Sequence, residues 1–322
     1  MERAWELLLL FFVVVAASAP AQPNYEVGPL TFNISNRGVL GLSKEGISVG
    51  TGSLMNWGPG WSWVSACSSQ SEWRLVSGPT GSETEVELEC YARCEYAEIR
   101  PKVKYWLGLA ESLLEINFTV VSDSSFSGLS WTLQLPINRF SGKNVYIALM
   151  NGSLIPVRLR EESVPGEFQL TWMNEAIGYV VPVDEENGLI FSVISDAWPQ
   201  GMPVSIDDER EWGGSVYSLR NWIAQQFTLS AGQTVRFIVY LLPYSNTPSS
   251  GVEKLALIYG ELSAGAPLNE LKSKIISELS LQEVGEKRAG SALLYTLLAF
   301  VAVTVIAATI FVYLTAKKRA NR

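Results

Sequence analysis

The amino-acid sequence predicts a mainly β protein: a large antiparallel β-sandwich, two short helices after it, and one C-terminal membrane-spanning helix. Three observations carry that reading. Before Pro243 the apolar residues fall in short alternating or β-branched runs broken by turn residues, with almost no helical periodicity. From Val252 the apolar spacing changes to three and four. From Ser291 to Ala316 the chain carries no charge at all, and Lys317, Lys318, Arg319 and Arg322 follow.

The N-terminus reads as a secretory signal. Leu7 to Ala17 is an apolar run too short for a good span, and Ala17-Ser18-Ala19-Pro20-Ala21 is the small-residue pattern of a signal-peptidase site, with cleavage placed after Ala21. Residues 22–246 then form the β ectodomain. Its expected strands begin with Leu30 to Ser35, Val39 to Leu42 and Gly46 to Val49, followed by a Gly- and Asn-rich loop from Gly50 to Gly60. Glu83 to Tyr91, Glu95 to Leu109, Leu113 to Val121 and Leu129 to Leu135 come next. Asn144 to Leu149 and Ser153 to Arg158 make a hairpin around Asn151-Gly152, a favoured two-residue turn. Phe168 to Trp172, Ile177 to Val183 and Leu189 to Ile194 continue the pattern, and Trp222 to Leu229 with Thr234 to Leu242 closes it. So many short strands require a large antiparallel sandwich.

Residues 247–290 read as a helical connector. Ser250-Gly-Val-Glu253 has the form of a capping box, and Val252, Leu255, Ala256, Tyr259 and Leu262 share one face. Gly265-Ala-Pro267 breaks that helix and opens a second, with Leu268, Leu271, Ile275 and Leu279 on one side and Glu270–Lys274 as an i,i+4 pair. These helices either pack on the sandwich or serve self-association into a homo-oligomer. The segment 291–316, about 39 Å long as a helix, spans a bilayer, and the basic tail 317–322 places its end in the cytoplasm. The expected location is the cell membrane, single-pass, with the N-terminal domain outside.

Composition narrows the chemistry. The chain contains no histidine. That excludes Ser-His-Asp and Cys-His catalysis and His-ligated zinc, and no cofactor or metal is expected. The net charge of −8 argues against nucleic acid as a partner. Cys67, Cys90 and Cys94 leave one odd cysteine in an oxidising compartment. A bridge between Cys90 and Cys94 across a short turn, or from Cys67 to either, is open.

Two stretches carry candidate site residues. Trp57, Trp61 and Trp63 sit in Asn56-Trp-Gly-Pro-Gly-Trp-Ser-Trp63, where indoles can stack on sugar rings or fill the core. Asp196 with Trp198, and Asp207, Asp208, Glu209, Arg210 and Trp212, lie in an expected long loop. Its carboxylates suit glycoside hydrolysis or simply a solvated charged surface. Asn33, Asn117 and Asn151 head glycosylation sequons.

Several strings resemble galactose-mutarotase-like supersandwich domains: Leu30-Thr-Phe-Asn-Ile-Ser-Asn-Arg-Gly38 with Gly41, Leu42 and Gly46; the pair Ile99 to Leu107 and Leu113 to Val120; and the hairpin Phe227 to Tyr240. The resemblance covers roughly Tyr25 to Tyr244. It implies a carbohydrate-facing concave sheet and, in mutarotases, catalytic histidines with a glutamate. A chain without histidine is then expected to bind glycan or another envelope component without catalysis. The alternatives are a membrane-tethered carbohydrate-active hydrolase or lyase using carboxylates, and a structural subunit of a surface assembly.

Overall fold

The computed structural model describes residues 24–35, 39–62, 74–81 and 84–279, with backbone only over 74–81. The expected signal (1–21), Trp63, Cys67, the segment 291–316 and the basic tail lie outside the described residues. Among the described residues no helix is long and apolar enough to cross a membrane.

Among the described residues sixteen strands form one antiparallel sheet. In chain order they are β1 (Asn24–Val27), β2 (Leu30–Ile34), β3 (Leu40–Lys44), β4 (Ile47–Trp57), β5 (Arg74–Gly81), β6 (Glu85–Cys94), β7 (Ala97–Leu107) and β8 (Ser112–Val120). Then come β9 (Ser124–Pro136), β10 (Asn144–Leu149), β11 (Leu154–Arg158), β12 (Gln169–Pro182), β13 (Asn187–Ile194), β14 (Met202–Asp208), β15 (Val216–Leu229) and β16 (Thr234–Ser245). Across the sheet the order is β1-β2-β3-β4-β9-β15-β14-β12-β13-β16-β8-β7-β6-β5, with β10 paired to β12 and β11 to β10. The expected sandwich is therefore one continuous sheet curled on itself. Strand β12 makes the turn from one layer to the other: its first half pairs with β14, its second half with β13 and β10, across an irregularity between Met173 and Ala176.

Alternation assigns the faces. In β9, Leu129, Trp131, Leu133 and Leu135 point into the main core between the layers, while Ser130, Thr132 and Gln134 point the other way. In β16 both faces are apolar: Phe237, Val239 and Leu241 enter the main core, and Ile238, Tyr240 and Leu242 enter a second one. That second core exists because helices cover the outer face there. After a short α1 (Ile137–Phe140), α2 (Ser249–Ser263) and α3 (268–279) lay Val252, Leu255, Tyr259, Leu271 and Ile275 onto it. The Tyr259 hydroxyl donates to the Val193 carbonyl at 2.7 Å. Lys254 donates to the buried Glu111 at 2.7 and 2.9 Å, and Lys272 to Glu115 at 3.1 Å.

Several expectations are corrected. The stretch 50–57 is strand, not loop: Gly50 and Gly52 sit where a Cβ would meet the Gln134 carbonyl at 2.7 Å and the Trp131 ring at 2.5 Å. Strands β5 and β14 fall where no strand was expected. Helix α2 starts at Ser249 with Pro248 as its cap and no side-chain cap hydrogen bond, so the capping box does not form. Lys274 pairs with Glu261 of α2 rather than with Glu270. Cys90 and Cys94 both belong to β6, four residues and about 13 Å apart along one strand, too far for a disulfide. Cys94 is disulfide-bonded, and burial, with Glu89 adding, pushes the Cys90 thiol up to about 11.

Candidate functional site

The polar faces of β4, β9, β15, β14 and β12 line up in register. One row runs Thr51–Gln134–Ser218–Asp207–Gln169, and the next Ser53–Thr132–Arg220–Ser205–Trp172. The third is Met55–Ser130–Trp222, and the fourth Trp57–Gly128–Gln225. Two irregularities make this possible. The register shifts between Trp222 and Ala224, which returns Gln225 to the same face as Trp222. It shifts again between Gln169 and Thr171, which keeps Gln169 and Trp172 together. Over these rows opens a cleft of ≈ 710 Å³, completed by Trp61, Phe168, Glu209 and Trp212. Its volume lies within the usual range of small-ligand sites.

The walls are indoles. Trp57, Trp61 and Trp222 pack with ring centroids 5.0 to 6.1 Å apart, and Trp172 lies 6.0 Å from Trp222. Trp212 packs on Phe168 at 4.6 Å. Trp61, Trp172 and Trp212 remain 46, 40 and 42 % exposed, unusual for side chains with so much apolar surface. Gly128 lets three of the rings converge, since a Cβ there would stand 2.8 Å from Trp222, 3.0 Å from Trp61 and 3.2 Å from Trp57.

The floor is a buried ion cluster. The guanidinium of Arg220 donates one terminal nitrogen to Asp207 and the other to Glu209. It also lies 5.2 Å from the Trp57 ring and 5.9 Å from the Trp222 ring, within cation–π reach. Burial pushes Arg220 down to about 10, so it stays cationic at neutral pH. Burial also pushes the Glu209 carboxyl up, and neighbouring Asp208 adds to this. Ser205 Oγ donates to Asp207 at 3.4 Å and accepts from Trp222 Nε1 at 3.1 Å, and Ser130 and Thr132 share a hydrogen bond of 2.9 Å, while Asp207 Oδ1 and Arg220 Nε are buried without a hydrogen-bond partner.

The sequence-predicted residues divide. Trp57, Trp61, Trp212, Asp207 and Glu209 line the cleft. Asp196, Trp198, Asp208 and Arg210 instead make contacts within the scaffold. Asp207 and Asp208 end strand β14, and Glu209 to Trp212 form a 3-10 turn, so the expected long loop is ordered structure. Asp208 is tied to Arg210, whose Nε donates to it at 2.9 Å. Burial alone would raise the Asp208 carboxyl, but Arg210 outweighs it and holds the group below the usual range. Arg210 also clasps the Glu161 carbonyl at 2.7 Å. Trp198 packs on the main core and donates to the Ile223 carbonyl at 2.9 Å. Asp196 accepts from the Leu268 amide at 3.1 Å, at the start of α3. Asn151 occupies an exposed turn and accepts from Ser153 Oγ at 2.6 Å, whereas Asn33 and Asn117 lie within β2 and β8. Among the described residues no cluster of His, Cys, Asp or Glu is placed to hold a metal ion.

Arg220, Trp222, Trp172, Phe168 and the three glutamines were not singled out from the sequence. Only Gln134 had a clear signal, the apolar–polar alternation of Leu129-Ser-Trp-Thr-Leu-Gln-Leu135; Ser218-Leu-Arg-Asn-Trp222 breaks that alternation at Asn221.

No family model matches the chain, and no curated protein does. Among solved structures the chain is similar to galactose-mutarotase-like domains, the family its sequence resembles. A galactose mutarotase-like protein from Lactobacillus casei is 11% identical, with 70% of this chain and 100% of that chain covered and a TM-score of 0.44. A galactose mutarotase related enzyme from Lactobacillus acidophilus is 8% identical, covering 71% and 99%, with a TM-score of 0.45. An alpha-N-acetylgalactosaminidase from Bifidobacterium bifidum is 11% identical, covering 76% of this chain and 39% of that one, with a TM-score of 0.46.

Proposed function

We propose that this protein is a membrane-anchored surface protein whose indole-walled cleft binds saccharide without cleaving it. The observation that carries the reading is the floor. Among the described residues, the carboxylates that reach the cleft are Asp207 and Glu209, and both are engaged by one guanidinium rather than set up as an acid–base pair for a glycosidic bond. The exposed faces of Trp61, Trp172 and Trp212 supply apolar surface of the kind a sugar ring stacks on. Gln134, Gln169 and Gln225 offer amide donors and acceptors for hydroxyl groups. The anchoring part rests on the uncharged run 291–316 with its basic tail.

The test is a titration of the protein with envelope polysaccharides, followed by tryptophan fluorescence. Binding that survives Trp61→Ala with Trp172→Ala removes the cleft as the site. The hydrolytic reading has one observation in its favour: a carboxyl raised by burial in an aromatic cleft, Glu209, has the character of a general acid. Release of new reducing ends, lost in Glu209→Gln, decides for it; no release decides for binding.

A further inference from the structure

The cleft also specifies what kind of saccharide enters it. We infer that the ligand is an uncharged glycan chain of several rings, and this rests on the saccharide-binding reading above. Two features lead there.

The first is the distribution of aromatic surface. Trp57, Trp61, Trp222 and Trp172 form one connected platform, with neighbouring centroids no more than 6.1 Å apart. Trp212 and Phe168 form another, and among the described residues no ring contact joins the two. Together they run the length of the floor: Trp57 lies in the fourth row, Trp172 in the row of Ser53, and Trp212 beyond the row of Thr51, in the turn after Asp208. From the row of Trp57 to the row of Thr51 is six residues along β4, about 20 Å. One pyranose ring covers only part of that aromatic surface. A chain laid along the strands can cover all of it, with the amides of Gln134 and Gln169 beneath its Trp212 end.

The second is charge. Among the described residues Arg220 is the sole cation lining the cleft, and both of its terminal nitrogens donate to Asp207 and Glu209. The arginines of the adjoining segments are committed as well: Arg158 to Glu161, Arg160 to Glu167 and Arg210 to Asp208. The floor cluster has one more carboxylate than cation. A uronate or sulfate group would meet net negative charge, since the one guanidinium is buried and already shared by two carboxylates, and desolvating the anion there is unfavourable. Hydroxyl-rich neutral rings meet no such penalty.

The experiment uses the full chain in a detergent without a sugar head group. Cello-, manno- and galacto-oligosaccharides of one to six rings are titrated by tryptophan fluorescence, beside oligogalacturonates of the same lengths. For the neutral series that binds, affinity is expected to rise at least tenfold from one ring to four, and Trp212→Ala is expected to remove most of that gain. The oligogalacturonates are expected to bind at least tenfold more weakly than that series. A flat length dependence, or tighter binding of an oligogalacturonate, overturns this inference and leaves saccharide binding standing. No binding by any of the four series overturns both.

Discussion

Replacing Arg220 by Met tests the floor of the cleft most directly. Arg220 is 7 % exposed and Asp207 2 %, so the variant buries two carboxylates without their counter-ion. Breaking a buried pair in this way costs about 3–5 kcal/mol. For a domain of this size, about 2–4 °C of melting temperature accompany each kcal/mol, so the midpoint should fall by roughly 6–20 °C at pH 7. The sign of the pH dependence follows from the same argument. In the variant, both carboxyls have folded-state pKa values raised above their unfolded values of about 4, because burial is no longer offset by a guanidinium. The penalty is then full above the raised values and shrinks as pH falls toward 4. Thermal unfolding by circular dichroism at pH 7, 6 and 5 measures this. Adding Asp207→Asn and Glu209→Gln to the variant should restore at least half of the loss at pH 7. A loss below about 1 kcal/mol, or one that does not change between pH 7 and 5, would refute the claim that these three side chains form a closed buried cluster.

Other outcomes follow from the same structure. Gly128→Ala drives a methyl into three indoles at once and should shift the tryptophan emission, weaken saccharide binding at least tenfold and cost about 1–3 kcal/mol in stability. Lys44, on β3, contacts Asp184 in the β12–β13 turn, and that contact holds the Asp184 carboxyl well below the usual carboxylate range. Its stabilisation is present above about pH 4 and lost as pH falls further. Both groups are solvent-accessible, so Lys44→Met should cost no more than about 1 kcal/mol at pH 7 and should flatten the acid limb of the stability curve. Lys254→Met strips the buried Glu111 of its cation, leaving the Tyr240 hydroxyl as its donor; denaturant unfolding should show a loss of about 2–3 kcal/mol.

The strand content and the two helices after the sheet were legible in the sequence because burial there follows a single period. Leu129 to Leu135 alternates, and Val252 to Leu262 repeats at three and four, so each reports its own face. The register of the cleft was not legible, and the reason is specific. The irregularities at Trp222/Ala224 and Gln169/Thr171 break the period of two within a strand, and no composition signal marks them. Without the first, Gln225 would face away from Trp222. Charge misled the reading at 207–212, where five charged residues suggested a solvated loop. Four of those charges are instead internally paired, Asp207 and Glu209 with Arg220, and Asp208 with Arg210. A partner thirteen residues away on the next strand is invisible to local reading.

The polar face and the helical connector are two consequences of one constraint. A curled sheet has an inner surface, filled here by the main core, and outer surfaces on both of its layers. The outer surface of the cleft layer keeps polar groups open to a ligand in Gln134, Gln169 and Gln225, over the fully buried hydroxyls of Ser130, Thr132, Ser205 and Ser218 on the same face. The outer surface of the other layer carries Ile190, Ile194, Ile238 and Tyr240, which water would not tolerate exposed. Helices α2 and α3 cover it, and Lys254 and Lys272 fasten them to Glu111 and Glu115. The apolar stripe of the connector is thereby used within the chain. Among its described apolar residues, Leu257, at 69 % exposure, is the large one that α2 leaves outside. The described helices thus pack on the sheet, and the cleft layer keeps apolar area and polar groups to offer a ligand.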